Sequence, residues 1–308
     1  MSHSFIQQED VQKLLREGAG LNGPQGNERF KSIIHRLLGD ICTLIDDYNV
    51  TQEEFWHAVN YLHELGGRQE AALLAAGLGL EHFLDLRQEA IESRLSAETG
   101  TPRTIEGPLY VANAPLADGF ARMDDGKDAG EVMWLHGQVR DVHGQSVVGA
   151  IVDIWHANTL GNYSFFDQSQ GDYNLRRRIR TDANGRYSVR SILPSGYGCP
   201  PDGPTQKLLN QLGRHGNRPA HIHFFVSAPG FKHLTSQINL NGDQYLWDDF
   251  AFATRDGLIA DPVKVSDPAL IQQRDLAGEH TEVCFDFTLC AAQNAEEEQR
   301  ITRLRAQE

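Results

Sequence analysis

Arg176-Arg-Arg-Ile-Arg-Thr-Asp-Ala-Asn-Gly-Arg-Tyr-Ser-Val-Arg-Ser191 sets the architecture to expect. Asn184-Gly185 stands between two runs suited to extended chain, 176–181 and 186–191, and Asn-Gly readily takes the left-handed backbone of a tight turn. The stretch therefore predicts a β-hairpin. Working outward, 131–139 and 150–156 read as further strands joined through Asp141-Val-His-Gly144. Towards the far end, Val283, Phe285, Phe287 and Leu289 alternate with Cys284, Asp286, Thr288 and Cys290, the period of a strand with one buried face. Short strands parted by Gly/Pro-rich turns predict an antiparallel β-sandwich over 105–308.

Before residue 105 the period changes to that of helices. Ile33, Ile34, Leu37, Leu38, Ile41, Leu44 and Ile45 recur as one apolar stripe. Thr51-Gln-Glu-Glu54 is a capping-box pattern, followed by Phe55, Val59 and Leu62 and then Gly66-Gly67 as a stop. A last helix is predicted over roughly 80–97, with Phe83, Leu84, Leu86, Ile91 and Leu95. Thr99-Gly-Thr-Pro102 ends the helical signal. The expected organisation is α+β: a helical N-terminal linker and dimerisation domain, 1–104, then the sandwich, 105–308, ending in a charged tail.

Composition narrows the function. The chain has 308 residues and a formal net charge of −14, spread over both parts, so it repels phosphate backbones and nucleic-acid binding is not expected. Arg176–Arg177–Arg178 is the one compact basic run and reads as a solvated strand or loop face. The apolar run 71–80 is too short to span a bilayer, and 1–15 lacks the apolar core of a signal peptide, so a soluble cytoplasmic protein is expected. Cys42, Cys199, Cys284 and Cys290 are scattered, neither a disulfide framework nor a zinc knuckle. Neither GxGxxG nor GxxxxGK[ST] occurs, so nucleotide and flavin chemistry lose their usual support.

Polar chemistry concentrates between residues 155 and 225. His221-Ile-His223 on a strand would turn both imidazoles to one side, within reach of one ion. A zinc or ferrous site would want a third His or a carboxylate nearby, yet Phe224 to Ala228 contains no acid. A cupin pattern fails too, with His215 where its glycine belongs and Ser227 and Ala228 where its Glu belongs. Tyr163 and Tyr197 remain as oxygen donors. Glycines on both sides of Tyr197 let its backbone approach a site closely. A phenol titrates near pH 10, so a phenolate at neutral pH needs a strong local cation such as Fe(III).

Val152-Asp-Ile-Trp-His-Ala-Asn158, Tyr197-Gly-Cys-Pro-Pro201 and Arg214-His-Gly-Asn-Arg-Pro-Ala-His-Ile-His223 together resemble the intradiol ring-cleavage dioxygenases, and among them the catechol 1,2-dioxygenase branch. The resemblance covers essentially the whole chain to about residue 290. It implies one Fe(III) per subunit, held by Tyr163, Tyr197, His221 and His223. Two phenolates and a hydroxide would cancel the ferric charge, and a neutral centre is cheaper to bury than a charged one. It further implies cleavage of catechol by O2 between its two oxygenated carbons to cis,cis-muconate, in aromatic-compound degradation along the β-ketoadipate route. Tyr197 would be the ligand that leaves with a proton.

Arg218 precedes Pro219 and is biased to extended chain; its functional reading is a fixed cation beside the reacting ring, against a surface ion pair. Gln237 resembles the family's polar residue near substrate, against a buried amide serving the backbone. Leu73, Ile105, Pro108, Leu109, Phe250 and Ala251 match positions lining the family's substrate pocket, against plain core packing. An apolar Leu73 favours a bare ring over hydroxyquinol; a sister enzyme preferring hydroxyquinol or chlorocatechols is the alternative. The N-terminal stripes exceed what one thin helical layer buries. The resemblance implies a homodimer through these helices, with a phospholipid in an apolar tunnel at the interface. Two other classes stay open: a zinc or ferrous hydrolase built on His221 and His223, and a sandwich binding module without catalysis.

Overall fold

The computed structural model describes residues 5–95 and 99–294, which fall into two compact units dividing between Gly67 and Arg68. The first unit is helical, with α1 (Glu9–Gly18), α2 (Glu28–Asp47) and α3 (Gln52–Gly67). The capping box forms reciprocally: Glu54 N–H donates to Thr51 Oγ1 at 3.2 Å, and Thr51 N–H to Glu54 Oε2 at 2.9 Å. The apolar stripe of α2 splits. Ile34, Leu38 and Ile45 are half-buried, whereas Ile33, Leu37, Ile41 and Leu44 are exposed, because α1 and its neighbours cover one side of the helix only. Phe55, Val59 and Leu62 on α3 are exposed as well.

The second unit opens with α4 (Ala71–Gly77) and α5 (Leu80–Leu95), so the break in compactness precedes the change from helix to strand that sets the sequence boundary at 104/105. Phe83, Leu84, Leu86 and Ile91 of α5 are exposed. Residues 96–97 of the predicted last helix and the charged tail from 295 lie outside the described residues.

Two six-stranded sheets follow, with strands labelled in chain order. The first sheet runs, side by side, β1 (Leu116–Asp118), β5 (Arg176–Arg180), β4 (Ile151–His156), β9 (His221–Ser227), β10 (Leu234–Leu240) and β11 (Ile259–Ala260). The second runs β12 (Val263–Val265), β13 (His280–Cys284), β3 (Val132–Asp141), β6 (Arg186–Ile192) and β2 (Phe120–Arg122), with β14 (Phe287–Leu289) also on β3. A two-stranded piece pairs β7 (Tyr197–Gly198) with β8 (Asn217–Arg218); α6 (Pro204–Gln211) and α7 (Pro268–Gln273) complete the unit. The central pairings of the first sheet are antiparallel, as is β3 with β6. The short strands β1, β2 and β11 join in parallel, and β13 and β14 also lie parallel to β3. The core between the sheets contains Leu135, Ile154, Val189, Ile222, Phe224 and Phe287, all fully buried.

The Asn184-Gly185 turn forms, with Gly185 N–H donating to Asp182 O at 2.9 Å, but its flanks do not pair as a hairpin. β5 belongs to one sheet and β6 to the other, so the turn is an arch across the sandwich. Its dipeptide fixes a local reversal only; Ile179 and Val189 enter the same core from opposite sides and decide the partners. The basic run is not a solvated face either. Ile179 points into the core, and Arg176, on the other face of β5, is 1% exposed.

Candidate active site

β9 alternates. Ile222, Phe224 and Val226 enter the sandwich core, which turns His221 and His223 to the outer face of the first sheet. Loops cover that face. After β4 the chain bends around Asn158, whose Oδ1 accepts the N–H groups of Leu160 and Asn162, both at 2.9 Å. This turn delivers Tyr163 over the histidines. Tyr197 arrives on β7, opposite Arg218 on β8. A Cβ on Gly196 would lie 2.5 Å from Arg218 O, and one on Gly161 2.5 Å from the Tyr197 Cβ, so both close approaches require glycine.

The four donors converge. His221 Nε2 lies 3.1 Å from His223 Nε2 and 3.4 Å from each of the Tyr163 and Tyr197 hydroxyl oxygens. Tyr163, His221 and His223 are buried, and Tyr197 is half-buried. His221 Nδ1 is 2.6 Å from Pro219 O; its proton is donated there, which leaves the Nε2 lone pair facing the cluster. His223 Nδ1 has no hydrogen-bond partner among the described residues, and its ring instead stacks on Trp155, centroids 4.9 Å apart and planes 4° apart.

Burial, reinforced by Arg218, holds the His221 pKa down to about 3. Burial, then His221, pushes His223 well below the usual imidazole range. Both rings are therefore neutral at neutral pH, with lone pairs available to a cation. Burial, then Tyr197, pushes the Tyr163 phenol well above its usual value, so its phenolate needs a cation close by. Two imidazole lone pairs and two phenol oxygens turned inward fit a hard trivalent cation. Among the described residues no group of three or more His, Cys, Asp or Glu could hold a metal, and the oxygens beside the two imidazoles are those of Tyr163 and Tyr197. A zinc or ferrous hydrolase centre finds no third His or carboxylate beside this pair among the described residues.

Arg218, buried, borders this cluster with Nη1 3.0 Å from His221 Nε2. Its other nitrogens bind Asp249 in a fork, Nε to Oδ1 and Nη2 to Oδ2, both at 3.1 Å, and Nη2 donates to Gln237 Oε1 at 2.8 Å. Burial raises the Asp249 pKa, but Arg218 outweighs it and holds the carboxyl below the usual range. Gln237 donates to Asn239 Oδ1 at 2.6 Å, so this amide serves side chains rather than backbone. Asp249 and Trp155 were missed as functional residues. The signal for Asp249 was its place next to Phe250 and the need of a buried arginine for an acid. Trp155 was visible in the Trp-His-Ala-Asn stretch but carried no spacing that points to a stack.

Leu73, Ile105, Phe250 and Ala251 pack into one apolar cluster with Ala76 and Leu209. Leu109 belongs to a second cluster with Tyr163, Tyr197 and Trp155, and half-buried Pro108 lies on the segment between them. The sequence-predicted residues thus meet as a donor cluster, a cationic corner and two apolar clusters.

The family described as Dioxygenase matches residues 105–291, and that described as Catechol dioxygenase N terminus matches 27–95. The chain is 53% identical over 308 residues to catechol 1,2-dioxygenase of Acinetobacter baylyi, covering 99% of each. The chain belongs to the catechol dioxygenase family. In the same family, the catechol 1,2-dioxygenase of a Pseudomonas species is 54% identical, covering 94% of this chain and 95% of that protein. The crystal structure of catechol 1,2-dioxygenase from Pseudomonas arvilla C-1 superposes with a TM-score of 0.94 at 57% identity, covering 98% of each chain. A hydroxyquinol 1,2-dioxygenase of Rhizobium stands further off, at 33% identity over 92% of this chain and 96% of that protein. Family members are oxygenases and generally depend on iron.

Proposed function

We propose that this enzyme is an intradiol dioxygenase that cleaves catechol with O2 to cis,cis-muconate, incorporating both oxygen atoms. The observation that carries the reading is the gathering of His223 Nε2 and the Tyr163 and Tyr197 oxygens within 3.1–3.4 Å of His221 Nε2, beside buried Arg218. These four would hold one Fe(III) per subunit. Bound there, the ferric ion would supply Lewis-acid chemistry toward the two catechol oxygens.

The chain's own residues do the rest. The half-buried Tyr197 oxygen would accept one of the two catechol protons, the other leaving as water with the hydroxide that balances the site, while Tyr163, fully enclosed, keeps its place. Arg218, fixed by Asp249 and Gln237, faces the reacting carbons with a charge that needs no reorganisation as negative charge develops. Leu73, Ile105, Pro108, Leu109, Phe250 and Ala251 orient the ring and exclude water. An apolar Leu73 gives a third hydroxyl no partner, which supports catechol over hydroxyquinol.

Two copies pair through the N-terminal helices, whose exposed apolar side chains need cover, and a phospholipid fills an apolar tunnel at that interface; organic extraction followed by mass spectrometry tests the lipid. With domain 1–104 for pairing and 105–308 for catalysis, the enzyme works in the cytoplasm. Among the described residues no helix is long and apolar enough to cross a membrane.

The central test is a visible absorption spectrum with iron quantified on the same sample, before and after anaerobic catechol. An iron-containing, burgundy protein whose band shifts with catechol is expected. A protein that stays colourless after iron is restored would remove the phenolate ligands and this mechanism with them.

A further inference from the structure

The run Arg176–Arg177–Arg178 is not used by the site as described, yet its first member lies against it. On β5 the residues alternate, so Arg176 shares the outer face of the first sheet with the histidines while Ile179 enters the core. At 1% exposure the guanidinium has given up its hydration; Nε and Nη2 are hydrogen-bonded, while Nη1 has no partner among the described residues. Its hydrogen bonds go to neutral oxygens. Nε donates to Ser164 Oγ at 2.9 Å, and Nη2 to Ser164 O at 3.1 Å and to Leu109 O at 2.8 Å. Ser164 Oγ in turn donates to Asn174 O at 2.8 Å. The guanidinium carbon stands 5.8 Å from the centroid of the Tyr163 ring, within the range of a cation–π attraction.

Both anchored segments matter to the reaction. Ser164 follows Tyr163 directly, so fixing the Ser164 carbonyl fixes the backbone from which the Tyr163 oxygen is aimed. Leu109 belongs to the apolar cluster that contains Tyr163 and Tyr197. We propose that Arg176 is a positioning residue that ties the Tyr163 loop to the substrate wall at Leu109 and so sets the distance between metal-ligand oxygen and catechol ring. The neighbour Arg178 provides the contrast. It shares the strand and the face, but its Nε donates to Ala114 O at 2.6 Å, away from both anchored segments.

The inference rests on the reading of Tyr163 as an iron ligand. The experiment compares the iron-loaded wild type with Arg176→Lys, Ser164→Ala and Arg178→Lys, measuring iron content, the visible band, KM and kcat for catechol, and melting temperature. Lysine keeps the charge and loses the fork. For Arg176→Lys, kcat/KM falls by about 10–100-fold, with a raised KM and a shifted or weakened tyrosinate band. Ser164→Ala moves the band and KM the same way by less, and Arg178→Lys leaves both at wild-type values. An Arg176→Lys enzyme with wild-type band and KM, even one that melts lower, would overturn the positioning role. Should that variant not fold, Ser164→Ala decides, and an unchanged band and KM there overturn it. An iron-loaded wild type without any visible band would overturn the ligand reading and this inference with it; a coloured wild type separates the two failures.

Discussion

At the scale of single residues, Tyr163 and Asp249 carry the sharpest expectations. Tyr163→Phe removes one oxygen from a fully enclosed ring and leaves its packing, so the fold should hold within about 1 kcal/mol. If Tyr163 is the lasting phenolate ligand proposed above, activity and the visible band should nevertheless disappear with its oxygen. Normal turnover by this variant would sink the ligand assignment. Asp249→Asn keeps an acceptor for the Ala251 N–H, 3.0 Å away in the wild type, but withdraws the charge that holds Arg218. Breaking such a buried pair costs about 3–5 kcal/mol of stability. With iron retained, kcat should fall by roughly 10–100-fold, as expected when a supporting partner of an active-site group is lost. Unchanged kcat would mean that Arg218 holds its place without the Asp249 charge, through Gln237 and His221.

Elements set which faces these residues share, and β4 gives a test by pH. Asp153 on β4 is buried and accepts the Tyr110 hydroxyl proton at 2.8 Å. Burial pushes its pKa up from 3.8 to about 7, against the opposing pull of Tyr110, Arg178 and Arg176. The folded state therefore holds a proton that the unfolded state has released, and Asp153 makes stability fall as pH rises between about 4 and 7. Asp85, raised by burial to about 6, acts in the same direction; His156 and His233, lowered to about 4, act in the opposite one. The difference between wild type and Asp153→Asn isolates the one group. Denaturant midpoints should show the variant gaining on wild type by a few kcal/mol between pH 4 and 7, and a pH-independent difference would place the proton elsewhere. Element-level features were legible where one local period governed them. The alternation of His221-Ile-His223 and the Thr51–Glu54 cap follow from neighbours in sequence; from Val283 to Leu289 the alternating burial holds, but the single strand expected there is broken at Phe285–Asp286 into β13 and β14. Partners chosen at a distance were not. Asn184-Gly185 reads the same whether its flanks pair or part, and β1, β2 and β11 are too short to announce parallel edges. Arg176 misled because charge suggests water, whereas its partners are carbonyls and a hydroxyl some 12 and 67 residues away in sequence.

On the scale of the whole molecule, exposed apolar surface sets how copies of the chain associate. Phe30, Ile33, Leu37, Ile41 and Leu44 follow helical spacing along α2 and are all exposed, as are Phe55, Trp56 and Leu62 on α3. A single chain does not keep so continuous an apolar face in water without cover, since each fully buried Leu, Ile or Phe is worth about 1.5–3 kcal/mol. A second copy of the same chain offers an identical face, and a two-fold pairing closes on itself without leading to filaments. Sedimentation velocity should therefore show a dimer at micromolar concentration. Leu37→Glu with Ile41→Glu places two charges in the centre of the stripe and should shift the protein to monomer. Because both sites lie in the first compact unit and the donor cluster in the second, the monomer should keep its iron band. A double variant that sediments like wild type would move the interface away from α2.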